Sequence, residues 1–258
     1  MNFFGNKLIR DTGFMVWGIG GLVIKNPVSI SAFHEIREEQ KKILLAREDA
    51  HFAKFETKNN FFYCVSIMPY LSSIPESSKS DQLRQYFAQA FAGNENWPET
   101  AFDKLSGMEK FTEFIELHFN PLLDKWKKHL MDIRLPMSSS HGDFFMDNIL
   151  LEQGQLKFID WWQFEKISCR YFDLINFQVF ESKKPGESWM AVWLRNSKNP
   201  PQRIFEIKIP DQTYLAYSVW KIARELKMLS LKGPLSQQKL QKYSKFIDYL
   251  NSMIINAN

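Results

Sequence analysis

The chain has 258 residues, of which 45% are hydrophobic, 24% charged and 15% aromatic, with 23 Phe and a formal net charge of +4. That length allows one large domain or two lobes around a real core, and the composition is that of a soluble globular protein, not a disordered one. The charge is too mild to imply nucleic acid, no apolar run is long enough to span a bilayer, and the N-terminal residues carry no secretory pattern, so a cytoplasmic location is expected.

Residues 1–28 read as strands. Phe14-Met15-Val16-Trp17 and Leu22-Val23-Ile24-Lys25 flank Gly18-Ile19-Gly20-Gly21, a hairpin signal, and Asn26-Pro27 ends the pair. Residues 29–48 read as a helix capped by Ser29 or Ser31, with Phe33, Ile36, Ile43 and Leu44 on one face. At about 100° per residue, Glu38 falls nearly opposite that face and Glu39 beside it. Of the acids Glu35, Glu38 and Glu39, Glu39 is therefore best placed to point into a cleft. Phe61 to Met68 reads as one apolar strand, broken by Pro69-Tyr70-Leu71. The Ser-rich stretch 72–80, with Pro75, reads as a connector.

From residue 81 the pattern is mostly helical. Leu83, Tyr86, Phe87, Ala90 and Phe91 fit one helix ending near Gly93. Phe111, Phe114, Ile115 and Leu117 fit a second, continuing past Pro121 to Trp126. His118 and His129 read as packing or surface residues. Cys64 and Cys169 read as buried free thiols.

The densest chemical signal is His141-Gly142-Asp143-Phe144-Phe145-Met146-Asp147-Asn148, followed by Ile159-Asp160-Trp161-Trp162. Two strand-like runs, Asn148 to Leu151 and Leu156 to Ile159, flank the polar turn Glu152-Gln153-Gly154-Gln155, where Gly154 suits a left-handed position. A loop feeding such a hairpin brings Asp143, Asn148 and Asp160 together. Two carboxylates and an amide oxygen are hard ligands suited to Mg²⁺, and a carboxylate free of metal can accept the proton of an attacking hydroxyl. Downstream, Arg170-Tyr171-Phe172-Asp173-Leu174 leads a helix to Phe180. A polar break at Ser182–Ser188 and a loop at Asn196–Pro201 precede two helical patterns, Tyr214–Leu231 and Leu235–Ile255.

HGDFFMDN with IDWW, and the Asp-Leu pair at Asp173, resembles the catalytic segment of the aminoglycoside phosphotransferase and choline kinase family, the small-molecule branch of the protein-kinase-like fold. Protein kinases have Arg after the His, a Lys two residues after the catalytic Asp, and Asp-Phe-Gly at the metal site. Here Gly142, Phe145 and Trp161 stand at those places. The resemblance implies a bilobal α+β fold, with a nucleotide-binding lobe at 1–71 and a catalytic, acceptor-binding lobe at 72–258. It implies transfer of the γ-phosphoryl of ATP to a hydroxyl of a small molecule, with Asp143 as base and Asn148 and Asp160 holding Mg²⁺. It gives Lys25 the role of phosphate-holding lysine with Glu39 as its partner, and it puts Met68 and Tyr70 at the adenine-binding hinge. His141 and Asp173 would position the loop. No GxGxxG phosphate loop is present, and a catalytically silent nucleotide-binding module is the alternative.

Trp162 could narrow the acceptor pocket or pack beneath the metal loop. The segment 174–258 carries roughly twice as many basic as acidic residues, which disfavours a polycationic acceptor. Trp189, Trp193, Tyr217 and Trp220 could form a cage for choline, or be ordinary core aromatics.

Overall fold

A computed structural model of the chain describes residues 8–10, 14–19, 21–56, 59–63, 65–69, 76–92, 97–105, 108, 111–113, 116, 124, 128–130, 132–197, 200–210, 212–230 and 237–256. The architecture is α+β: an antiparallel sheet and one long helix come first, and a mainly helical part follows.

Strands β1 (Leu8–Arg10), β2 (Phe14–Ile19), β3 (Leu22–Pro27), β4 (Asn60–Phe62) and β5 (Val65–Pro69) form one sheet in the order β1-β2-β3-β5-β4. β2 and β3 form the hairpin expected from their sequence, with Phe14 opposite Pro27 and Ile19 opposite Leu22. The run Phe61 to Met68 is not one strand. Tyr63 takes a left-handed conformation at φ 56, and Phe62 pairs back onto Val65. The resulting strand lies at the sheet edge, which leaves Phe62 and Tyr63 exposed.

Helix α1 (Ile30–Arg47) starts at Ser29, whose Oγ accepts a hydrogen bond from the Ala32 amide at 3.2 Å. Its buried stripe is Ala32, Ile36, Glu39, Ile43 and Ala46, all at helical spacing. Ala32 and Ile36 pack with Phe14 against the sheet, whereas Ile43 and Ala46 join the main core. One helix thus ties the sheet to the rest of the molecule. Phe33 and Leu44, expected on the core face, are exposed, because the stripe is rotated toward the alanines.

Helix α2 (Glu76–Ala90) begins within the expected connector and buries Leu83, Tyr86, Phe87 and Ala90. Residues 72–75, Gly93, Phe114, Ile115, Leu117, His118, Pro121, Trp126, Leu231 and Leu235 lie outside the described residues, as do Gly20, Cys64 and Tyr70. Short antiparallel pairs follow: β6 (Glu99–Ala101) with β7 (Arg134–Pro136), β8 (Ser138–Ser140) with β11 (Glu165–Ser168), and β9 (Ile149–Glu152) with β10 (Gln155–Phe158). Gln153 and Gly154 turn the β9–β10 hairpin with φ 52 and 79.

Helix α3 (Tyr171–Glu181) is almost wholly buried. Residues 182–188 form the expected break; helix α4 (Trp189–Ser197) and the small hairpin of β12 (Arg203–Ile204) and β13 (Ile207–Lys208), which the sequence pattern did not indicate, follow it. Helices α5 (Thr213–Ser230) and α6 (Gln237–Asn256) complete the chain. Phe52, Tyr86, Phe144, Phe158 and Trp161 form an aromatic core with ring centroids 4.9–6.4 Å apart, mostly in edge-to-face arrangements. Cys169 is buried and free. Among the described residues, no helix is long and apolar enough to cross a membrane.

Candidate active site

The site is built on the loop between β8 and β9. Asp173, in the first turn of α3 and fully buried, accepts the amide hydrogens of His141 at 2.7 Å and of Gly142 at 2.8 Å. Burial pushes its carboxyl up to about 7, against the pull of those two amides. Removing it would leave two buried donors unsatisfied, at a cost of about 1–3 kcal/mol each. Gly142 has φ +81, and a Cβ there would lie 2.3 Å from the Gln163 carbonyl oxygen. Only glycine lets this loop close on the turn that follows Asp160.

The His141 ring is fully buried. Its Nε2–H donates to the Ile159 carbonyl at 3.0 Å, and its ring lies 4.7 Å from that of Trp161. Burial lowers its pKa to about 4, which keeps the imidazole neutral. His141 thus fastens the loop to the segment carrying Asp160. Trp161 packs beneath this segment, fully buried, with its Nε1–H donating to the Phe158 carbonyl. Trp162 is only half-buried.

Asp143 and Asn148 are joined directly: the Asn148 Nδ2 donates to the Asp143 carbonyl at 2.9 Å. The Asn148 carbonyl in turn accepts the Ile159 amide at 3.0 Å, which sets the spacing between Asn148 and Asp160. Asp160 sits in the left-handed region, with φ 63 and ψ 54, and caps a 3-10 turn over Trp161–Gln163. Asp tolerates this conformation better than most residues. The turn swings the carboxylate toward the sheet.

From the sheet comes Lys25, in the middle of β3 and opposite Val16 and Ser66. Its Nζ lies 3.0 Å from Glu39 Oε2 and 3.0 Å from Asp160 Oδ1, and 4.8 Å from the centre of the Phe14 ring. Burial alone would lower the lysine's pKa, but the two carboxylates outweigh it and hold the ammonium above its ordinary value. Among the acids of α1, Glu39 faces Lys25, whereas Glu38 pairs with Lys41 on the surface. The groups converging here thus come from β3, α1, the loop after β8 and the end of the β9–β10 hairpin.

Met68 is buried in β5 opposite Val23. Gly21 has open space around it, and a Cβ at Gly18 would lie 4.0 Å from the Leu22 carbonyl oxygen.

Four residues at the site were not singled out from the sequence. Lys221 of α5 is 5% exposed, and its Nζ lies 3.5 Å from Asp143 Oδ1. Arg224, one turn on and 8% exposed, pairs with Glu165 Oε1 at 3.1 Å, and Lys42 of α1 reaches the same oxygen at 3.0 Å. A signal was present: Lys221 and Arg224 fall among Leu215, Ala216, Val219, Trp220, Ile222, Ala223 and Leu226, and basic residues on a buried face need acidic partners. Burial raises the pKa of Asp143, and Lys221 opposes that rise. Of the candidate cage aromatics, Trp193, Tyr217 and Trp220 are fully buried and Trp189 is half-buried.

Among the described residues, no cluster of three or more His, Cys, Asp or Glu could hold a metal ion by itself. Asn148 and Asp160 offer an amide oxygen and a carboxylate. Such a sparse oxygen set fits Mg²⁺, which keeps several waters and shares its coordination with phosphates.

No protein-family model matches the chain, and no curated protein matches it in sequence. Solved structures match its fold over nearly the whole length. Choline kinase LicA from Streptococcus pneumoniae matches with a TM-score of 0.56 and 13% identity, over 98% of this chain and 95% of that one. A thermostable mutant of aminoglycoside phosphotransferase APH(4)-Ia, in a ternary complex with ADP and hygromycin B, matches with a TM-score of 0.52 and 12% identity over 97% and 92%. The streptomycin–ATP–APH(2″)-IIa ternary complex matches with a TM-score of 0.50 and 12% identity over 95% and 90%. At these identities the likeness is one of fold, and the fold is the bilobal, protein-kinase-like one.

Proposed function

We propose that the chain is an ATP-dependent phosphotransferase that moves the γ-phosphoryl group to a hydroxyl of a small molecule. The observation that carries this reading is the contact of Lys25 with both Glu39 and Asp160, beside the loop in which Asn148 is bonded to Asp143. Residues 135 positions apart meet at one ammonium, in the arrangement that phosphoryl transfer between lobes requires. The solved complexes of the same fold that hold ATP or ADP support nucleotide as the donor. On this reading residues 1–71 bind the nucleotide, with Met68 and Tyr70 at the adenine end, and residues 72–258 bind the acceptor.

The transition state of phosphoryl transfer is loose, so the protein chiefly positions groups and offsets charge. Asp143 accepts the hydroxyl proton as the acceptor oxygen attacks the γ-phosphorus and the bond to the bridging oxygen of ADP breaks. Lys25 holds the nucleotide phosphates and is itself oriented by Glu39. Asn148 and Asp160 are the residues that would hold Mg²⁺, which when bound neutralises phosphate charge. His141 and Asp173 keep the loop closed. The experiment is nucleotide-dependent thermal stabilisation with and without Mg²⁺, followed by ATP turnover over a panel of hydroxyl compounds. Stabilisation without transfer to any acceptor would leave only a nucleotide-binding module.

A further inference from the structure

Three features bear on the charge that an acceptor at Asp143 can carry. The first is Lys221. Its ammonium faces Asp143 Oδ1 at 3.5 Å from a stem that is 5% exposed, and lies 5.9 Å from the centre of the Phe180 ring. Phe180 stacks on Phe145 with ring centroids 4.8 Å apart. The cation beside the base therefore comes from α5, resting on an aromatic pair, and its position is set by packing rather than by solvent. The second is the neighbouring acid, Glu165, which already faces both Arg224 and Lys42. The third is the state of the aromatic residues. Of the four cage candidates, Trp193 lies 4.3 Å from Phe246 and Trp220 4.8 Å from Phe172, and both are fully buried, as is Tyr217, so their faces are used by the core; Trp189 alone is half-buried, with its ring 6.3 Å from that of Phe246. A quaternary ammonium needs open aromatic faces or unspent carboxylates.

Resting on the phosphotransferase reading, we propose that Lys221 sets the acceptor class: a hydroxyl compound that is uncharged or anionic beside its reacting oxygen, and not an amino alcohol or an aminoglycoside. With Lys221 on one carboxylate oxygen of Asp143, the acceptor hydroxyl takes the other. A substituent on the next carbon of the acceptor then lies within a few ångströms of the buried ammonium. A cation there is repelled in a site that solvent screens poorly, whereas a carboxylate or phosphate is attracted. Lys221 is thus a specificity-determining residue that acts on the acceptor's own charge.

The test compares wild type, Lys221→Met and Lys221→Arg with Mg-ATP and matched acceptors. The pairs are choline with its uncharged isostere 3,3-dimethylbutan-1-ol, ethanolamine with glycolate, and an aminoglycoside with a neutral sugar. Wild type is expected to favour the uncharged or anionic member by at least about tenfold in kcat/KM. Lys221→Met, which keeps the stem over Phe180, is expected to shrink that ratio by about tenfold, and Lys221→Arg to retain it. A wild-type preference for the cationic members overturns the proposal, even if neither variant folds. So does a ratio unchanged in Lys221→Met. Wild type that binds Mg-ATP but transfers to no acceptor of any charge overturns the phosphotransferase reading itself, and this proposal falls with it.

Discussion

Lys25 and Glu39 meet at 3.0 Å, one from the middle of a strand and the other from the buried stripe of the helix that follows. Glu39 is 1% exposed, so its charge has little solvent to fall back on. Breaking a buried pair by removing one partner leaves an uncompensated charge and costs several kcal/mol, about 3–5 in measured cases. Lys25→Ala is expected to raise the KM for ATP and lower kcat. Lys25→Ala with Glu39→Ala is expected to depart from additivity by about 0.5–3 kcal/mol. Steady-state kinetics and denaturation of the four proteins measure both, and simple additivity would remove Glu39 from the site.

Asp160 shares the same ammonium and offers its carboxylate beside Asn148. Asp160→Asn keeps the side-chain shape and tolerates the left-handed backbone, but loses the charge. It is expected to weaken binding of Mg-ATP by far more than binding of metal-free ATP. Calorimetry with and without Mg²⁺ gives the comparison; equal losses in both would contradict a metal-holding role.

Gly142→Ala tests how tightly the loop closes. The left-handed backbone alone costs about 1–2 kcal/mol for a non-glycine residue, and the approach of a Cβ to the Gln163 carbonyl adds to that. A fall in Tm of at least about 4 °C is expected, together with loss of activity. An alanine variant with wild-type Tm would mean that the loop and the Asp160 turn are not packed as described.

The pH dependence follows from burial. A base must be ionised to act, and burial raises the pKa of Asp143 despite Lys221. The kcat/KM should therefore rise with pH and inflect above the ordinary Asp value of about 3.9. His141, held neutral with a pKa lowered to about 4, should add no inflection near 6.5. A limb at or below the ordinary Asp value would contradict the buried setting of the base.

Much of the site was legible because its parts are local. The spacing of Asp143, Asn148 and Asp160 around one hairpin is a property of a short segment, and Gly154 marks its turn. The contact of Glu39 with Lys25 was legible from helical angle, because Glu39 falls beside the face that carries Ile36 and Ile43. Long-range packing was not legible. Phe33 and Leu44 satisfy the same periodicity as Ile36 but lose to the small alanines, which let α1 approach its neighbours. The turn at Tyr63 carries no glycine or asparagine at the described position, so the hairpin read as a single strand. Lys221 lies 78 positions from Asp143, and which face of α5 meets the loop depends on how α3 packs between them. The left-handed backbone of Asp160 has no sequence signature of its own.

The most direct measurement is phosphoryl transfer by Asp143→Ala beside wild type, read by the mass gain of the acceptor, with Mg-ATP binding measured on the same proteins. Wild type should phosphorylate a hydroxyl compound. Asp143→Ala should bind Mg-ATP nearly as well while its transfer rate falls by about 10²–10⁴. Transfer at the wild-type rate in Asp143→Ala would contradict the account.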